Sequence, residues 1–289
     1  MKWLGINEFV AVAENQSFSL AAKNLKISTA QVSRQISALE KRLQVKLFYR
    51  TTRKVSLTQE AQLFYQHCRH LLDGLDTAEQ AITNLQSKPQ GKIKLTAPVT
   101  YGEQKILPLI NDFVALNSDI EVTTELTNNR VDLIDGGFDV AIRLGQLQDS
   151  SLIAKKLSQR SNFVCVSENY LQKHGEAHSL SELKHHNCLL GTRDYWRFTE
   201  QNKEKNIRVK GNLRCNSGLA LVDAALKDIG IVQLPDYYVQ SYIESGQLVT
   251  ILDQFREPAE GIWAVYPQNR YLSPKIRLLI DHLAEHLQL

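Results

Sequence analysis

Near the start of the chain, Ser28, Thr29, Ala30, Gln31, Ser33 and Arg34 gather small and hydrogen-bonding side chains around one guanidinium, and Arg50, Thr52, Arg53 and Lys54 follow as a cationic cluster. A guanidinium can donate two parallel hydrogen bonds to the edge of a guanine, and short hydroxyl, amide and methyl groups beside it can approach other base edges. Clustered cations neutralise phosphates or enter a narrow groove. Ser17 and Ser19, at the head of a helical pattern, are placed to hold a phosphate at a helix N-terminus. Each group alone also reads as an ordinary solvated face or a charged hairpin tip. Their combination in one segment is what points to a polyanion.

Such side chains act only if rigid elements present them. Ile6, Phe9, Val10 and Ala13 recur at helical spacing and predict a helix over 3–14. A second helix is expected near 19–25, and a third opens at Ser28 with a Ser28-to-Gln31 capping box. Val32, Ile36, Leu39 and Leu43 form one stripe that must pack on the other two helices, leaving Thr29, Ala30, Ser33, Arg34 and Ser37 outward. Two β-prone runs between Leu47 and Thr58, joined by Thr51-Thr52, predict a two-stranded wing with the cations at its tip. Residues 1–58 hold ten Lys/Arg against three Glu, a balance of +7, so the rest of this chain of net charge +3 carries −4. The segment reads as an all-α-type winged helix-turn-helix whose partner is double-stranded DNA.

Thr58 can cap the next helix. Ala61, Phe64, Cys68, Leu71, Leu75, Ala78, Ile82 and Leu85 are spaced alternately three and four apart, the pattern of a coiled-coil seam on a long linker helix over 59–87. The expected consequence is a homodimer; the alternative is a core helix lying on the body. Ser87-Lys88-Pro89-Gln90-Gly91 breaks the helix and sets a hinge at 88–91.

From residue 92 the pattern alternates between β and α. Strands are predicted over 93–97, 120–126, 138–143, 162–167, 207–216, 229–234, 248–252 and 262–266. Helices are predicted over 103–117, 128–136, 217–227, 236–245 and 274–288. This order argues for a doubly wound, largely parallel sheet, and so many strands suit two small α/β lobes.

Thr100-Tyr101-Gly102-Glu103 and Asn216-Ser217-Gly218 each lead from a strand into a helix. Each is first a helix cap, and a helix N-terminus at the carboxyl end of a parallel strand also binds anions. Arg143, at a strand end, suits an anion or an intramolecular salt bridge equally. Cys215 invites a redox-sensor reading, although a buried structural thiol is the commoner state. His282 with His286 and the His185-His186 pair lack a third ligand at useful spacing, so no metal site is expected. No Ser/His/Asp motif, nucleotide loop or paired metal-type ligands point to an enzyme. The four cysteines have no CxxC spacing and read as reduced thiols. No long apolar run or signal-peptide pattern appears, so a cytoplasmic location is expected.

Taken in order, the head's residues resemble the LysR-type transcriptional regulators. The similarity rests on Phe9 to Ala13, Ser17-Phe18-Ser19-Leu20-Ala21-Ala22 before Leu25, Ser33-Arg34-Gln35-Ile36, Leu39-Glu40, Leu47-Phe48, Arg50, Arg53 and Leu57-Thr58. In the body, Asp132-Leu133-Ile134, Gly137 to Gly145, and Gly230-Ile231 before Pro235 are similar to that family's effector domain. Thr29 stands where many members have Pro, and Ala61-Gln62 where the linker helix usually opens with Ala-Gly. The resemblance implies a two-lobed, periplasmic-binding-protein-like α/β effector domain over 92–289, with lobe I from 92–161 and 267–289 and lobe II from 162–266. It implies a small polar or carboxylate effector between the lobes, lined by Thr100, Tyr101, Thr127, Asn128, Arg143, Trp196, Cys215 and Asn216, and no cofactor. It further implies dimers paired into tetramers and recruitment or exclusion of RNA polymerase. The alternatives are a regulator gated by cysteine oxidation and one acting without an effector. A purely architectural DNA binder would have little use for so long a body.

Overall fold

The structure, a computed structural model, describes residues 3–50, 55–83, 89–147, 151–268 and 272–287. The chain divides into two compact units: Met1–Ile142 with Asp149–Lys155 and Ala264–His286, and Arg143–Gln148 with Lys156–Trp263 and Leu287–Leu289. Among the described residues no helix is long and apolar enough to cross a membrane.

In the first unit, α1 (Ile6–Asn15), α2 (Phe18–Asn24) and α3 (Thr29–Leu43) share one core, in which Phe9, Val12, Ala21, Val32 and Ile36 are fully buried. Helix α1 opens three residues later than its periodicity suggests. Gly5 caps it in the left-handed region at φ 87°, and a Cβ there would lie 2.7 Å from the Gln35 carbonyl oxygen. Only glycine allows the start of α1 to approach α3 so closely. Ser17 and Ser28 cap α2 and α3, their hydroxyls accepting the N–H groups of Leu20 and Gln31 at 3.3 and 3.1 Å. The predicted stripe on α3 is buried except at its last member, Leu43, which is exposed one residue before the helix ends in a left-handed Gln44.

The wing is a hairpin of β1 (Phe48–Arg50) and β2 (Val55–Leu57), with Phe48 opposite Leu57. Thr58 then caps α4 (Gln59–Thr83): its hydroxyl accepts the Ala61 N–H at 3.2 Å and donates to the Lys46 carbonyl at 2.8 Å, tying wing and helix together.

The expected seam on α4 divides. Ala61 and Cys68 are buried in the head's own core with Phe64 packed beside them, and the Phe9 and Phe64 rings stand 5.2 Å apart. As α4 leaves the head, the first apolar surface it meets is α1 of the same chain. Among the described side chains of the seam, Leu71 and Leu75, 52% and 56% exposed, still face outward as a seam requires. Leu85 lies outside the described residues, and the side chains of Ala78 and Ile82 are not among those described.

The larger sheet has the order β4 (Ile120–Leu126), β3 (Gly91–Ala97), β5 (Val140–Leu144), β12 (Glu260–Pro267) and β6 (Leu152–Arg160). Strand β3 runs parallel to β4 and β5, as the β/α alternation predicts. Between β3 and β4 the predicted helix begins earlier, as α5 (Val99–Tyr101), and passes through a π-helical turn at Gly102–Ile106 into α6 (Leu107–Leu116). Residues 128–136 do not form the predicted helix. Asp132 Oδ1 accepts the N–H groups of Ile134 and Asp135 at 2.8 and 3.0 Å, closing a turn that competes with helix. Helix α10 (Pro274–His286) joins α6 through a 3.0 Å hydrogen bond between His282 Nε2 and the Leu109 carbonyl.

In the second unit, β7 (Asn162–Val166) is antiparallel to both neighbours, β10 (Val232–Pro235) and β11 (Val249–Ile251). The parallel expectation fails there. The strand predicted over 207–216 is replaced by a hairpin of β8 (Tyr195–Glu200) and β9 (Lys203–Arg208). Its turn residues Gln201 and Asn202 take φ 52° and 60°, a conformation no glycine signals here. Helices α7 (Glu168–His174), α8 (Gly218–Leu226) and α9 (Asp236–Glu244) cover the small sheet, and Trp196 and Phe198 of β8 are buried in its core.

Candidate DNA interface and ligand cavities

Helix α3 leaves Thr29, Ala30, Gln31 and Arg34 exposed and Ser33 half-buried, while Val32 and Ile36 are completely buried on the opposite side. The Ser28 cap fixes the helix's first turn, so this row is held by the head's core rather than by a loop. Arg34 makes no ion pair among the described residues. Ser19 is exposed on the first turn of α2, and Ser17 is half-buried at its cap.

Arg50 is engaged within the head. Its guanidinium lies 4.4 Å over the Phe18 ring and 3.8 Å from Glu40 Oε2. Glu40, which the sequence marked only as part of a family motif, is 7% exposed and accepts the Leu47 N–H at 2.9 Å. Thr52, Arg53 and Lys54, expected at the wing tip, lie outside the described residues.

In the body, four predicted ligand residues come together in the first unit, at the carboxyl ends of β3 and β4. Thr127 donates its N–H to the Ala97 carbonyl at 2.9 Å, and Asn128 Oδ1 accepts the Val99 N–H at 3.1 Å. The predicted Thr100-to-Glu103 cap does not form. The helix already starts at Val99, Thr100 sits inside its first turn, and Asn128 supplies the capping oxygen. Tyr101 is buried. A Cβ at the next residue, Gly102, would lie 2.5 Å from Leu126 Cδ2 and 3.3 Å from Ala97 Cβ, so a larger residue there would force the Leu126 side chain to move.

Three others line a cavity of about 230 Å³ in the second unit. Trp196, Cys215 and Asn216 share its wall with Asn162, Gln233 and Tyr238. Ser217 caps α8, accepting the Ala220 N–H at 3.4 Å, and its own N–H points to Cys215 Sγ at 3.4 Å. Cys215 is half-buried, whereas Cys68, Cys165 and Cys188 are buried. Burial pushes their thiols up to about 11, 12 and 12 respectively, which keeps them protonated and inert. Arg143, at the end of β5, lines neither this cavity nor the one beside it.

That second cavity, about 520 Å³, has strongly polar walls that no spacing in the sequence disclosed. Arg160 donates from Nε and Nη2 to Glu260 Oε2 at 3.2 and 3.0 Å, while Arg197 Nη1 lies 2.6 Å from Glu260 Oε1 and its Nη2 lies 3.2 Å from Glu257. Burial alone would raise the Glu260 carboxyl, but the Arg197 and Arg160 guanidiniums outweigh it and hold it below the usual range. At Glu257 burial wins over Arg197 and the carboxyl is raised. The two cavities share Thr192, Arg193, Tyr195 and Arg197.

Comparison with known proteins bears on both sites. A family model described as a bacterial regulatory helix-turn-helix protein of the lysR family matches residues 6–62, and one described as the LysR substrate binding domain matches 86–288. An uncharacterized HTH-type transcriptional regulator of Haemophilus influenzae is 34% identical over 94% of this chain and 96% of its own. The HTH-type transcriptional activator TtdR of Escherichia coli is 31% identical over 96% of this chain and 91% of its own. The solved full-length structure of the Vibrio cholerae virulence activator AphB, described as a member of the LTTR family, superposes with a TM-score of 0.61 at 28% identity, covering 98% of this chain and 99% of its own.

Proposed function

This chain belongs to the LysR family of bacterial transcriptional regulators, and from that premise we propose that α3 reads a specific DNA sequence in the major groove while a small molecule bound in the body modulates the reading. The protein is a transcriptional regulator with a helix-turn-helix and an effector-binding domain, not an enzyme. The exposed, unpaired Arg34 on the capped face of α3 is the observation that carries the finer statement. Arg34 donates to a guanine edge, Ser33, Thr29, Ala30 and Gln31 contact neighbouring edges, and Ser17, Ser19 and the wing cations Arg50, Arg53 and Lys54, with Thr52, hold phosphates. Trp196, Cys215 and Asn216, which share one cavity wall in the second unit, contact the effector. Leu71 and Leu75 of α4 meet their counterparts in a second copy, and the paired heads govern the access of RNA polymerase to a promoter.

The test of the head is Arg34→Ala. A bidentate contact discriminates by about 1–3 kcal/mol, so selective binding measured against competitor DNA should fall roughly tenfold to a hundredfold while non-specific affinity changes little. Undiminished selectivity would remove α3 from the recognition role.

A further inference from the structure

The first unit contains both the head and the larger sheet, and we infer that a latch between them, Asp139 with Arg69 and Gly137 against Gln66, holds the head docked in a position that leaves α3 free to read DNA. The DNA half of the inference rests on the recognition reading above; the latch itself does not. Helix α4 supplies one side of the contact. Ala61, Phe64 and Cys68 fix this helix to the head's core. Gln66 and Arg69 leave it in another direction, toward the start of β3 and the turn before β5. Whatever holds this stretch of α4 therefore holds the head.

Asp139 is 5% exposed and is fixed by its own sheet: its Oδ2 accepts the Lys94 N–H at 2.7 Å, and its N–H donates to the Lys94 carbonyl at 2.8 Å. The same Oδ2 stands 3.6 Å from Arg69 Nη2, which also donates to the Lys92 carbonyl at 3.4 Å. The Arg69 side chain is itself only 17% exposed, so solvent screens this pair less than an ordinary surface ion pair. Two residues before Asp139 the chain comes closer still. A Cβ at Gly137, where φ is 63°, would lie 3.2 Å from Gln66 Cγ, so glycine both takes the left-handed turn and lets α4 approach. At the edge, Glu14 of α1 accepts the Tyr65 hydroxyl at 3.3 Å and lies 3.9 Å from Lys92 Nζ. With Lys92 49% exposed, that corner adds direction more than strength.

These contacts engage α4 and the last turn of α1, and none of them involves α3, whose Thr29, Ala30, Gln31 and Arg34 stay exposed. The docked head is held without being masked. Gly137-Phe138-Asp139, which DNA reading leaves without a role, thus has a physical use: a close approach at its first residue and a buried charge at its last. Because Asp139 leads directly into β5, a shift at this edge of the sheet reaches the head through α4 with no loop between.

The latch can be both trapped and loosened. The Cβ at Gly137 would lie 3.9 Å from Gln66 Cβ, inside the range of about 3.5–4.5 Å that a disulfide spans. In the full-length protein with Gln66→Cys and Gly137→Cys, diamide as oxidant is expected to link the two thiols within one chain, seen as a monomer-sized band on denaturing non-reducing electrophoresis and confirmed by peptide mapping. With Gln66→Cys alone, alkylation of the new thiol reads how often the head lifts away. Arg69→Ala and Asp139→Asn, the latter keeping an oxygen for the Lys94 N–H, should each speed alkylation about tenfold, the loss of one charged contact. No link in the folded protein, or no faster alkylation in either variant, would overturn the latch; a link found only between two chains would overturn its place within one chain. The linked protein should bind a duplex that it selects from random sequences within about threefold of the same protein reduced with dithiothreitol. Binding lost on linking and restored by reduction would overturn the claim that the docked head is free to read DNA. If no duplex is selected at all, the recognition reading falls and that claim with it, while the cross-link judges the latch separately.

Discussion

At Glu40 a carboxylate is almost fully buried, with the Leu47 N–H at 2.9 Å and Lys46 and Arg50 at 3.4 and 3.8 Å. The two cations are substantially exposed, Lys46 at 82%, so solvent screens their pull and the backbone hydrogen bond dominates the energetics. Glu40→Ala leaves a buried N–H without an acceptor and is expected to destabilise the head by about 2 kcal/mol. Glu40→Gln keeps an oxygen in place and should lose about half of that or less. Urea unfolding of the two variants checks the ordering, and equal losses would show that charge, not the Leu47 contact, is what matters. The sequence showed Glu40 as one more charge among thirteen in the head, because nothing in its spacing says that α3 ends where the wing begins. Ser28 was legible for the opposite reason: a helix cap is local, and its partner lies three residues away.

Elements divide along the same line. The helices of the head, β3, β4 and the cap at Ser217 follow from short-range periodicity and chemistry, and the structure has them. The β8–β9 hairpin was missed because Gln201-Asn202 lacks the glycine that flags a tight turn, and 128–136 was misread because Asp132 turns the backbone with its side chain. The charged cavity was invisible: Arg160, Arg197, Glu257 and Glu260 come from separate strands and loops and meet only after folding. Helix α4 shows how a correct pattern can have two uses. Its apolar row is continuous in sequence, yet Ala61 and Cys68 are spent inside the head while Leu71 and Leu75 are not. Replacing both leucines by Glu should therefore weaken self-association by at least tenfold, since each removes about 1.5–3 kcal/mol of apolar burial in a dimer. The melting of the head core should hardly change. Sedimentation equilibrium reads the first effect and circular dichroism the second; an unchanged oligomer would place the contact elsewhere.

For the whole molecule, the charge asymmetry and the two ligand classes must obey one thermodynamic cycle. The head carries +7 and the remainder −4, so DNA affinity should collapse with salt, by about 10³-fold or more between roughly 50 and 200 mM if six or more phosphates are contacted. An effector held in the second unit away from bulk solvent is screened far less and should keep most of its affinity over the same range. If that ligand changes DNA affinity by some factor, DNA must change ligand affinity by the same factor, because both follow from one coupling free energy. The expected factor is about 5–150, the usual range for coupled sites. Two titrations at one fixed salt concentration measure it: DNA into protein with and without saturating ligand, and ligand into protein with and without saturating operator. Agreement at a factor well away from one means that ligand and DNA are coupled on one and the same protein species. Disagreement beyond error would mean that a further equilibrium, such as a change in the number of associated copies, lies between the ligand and the DNA.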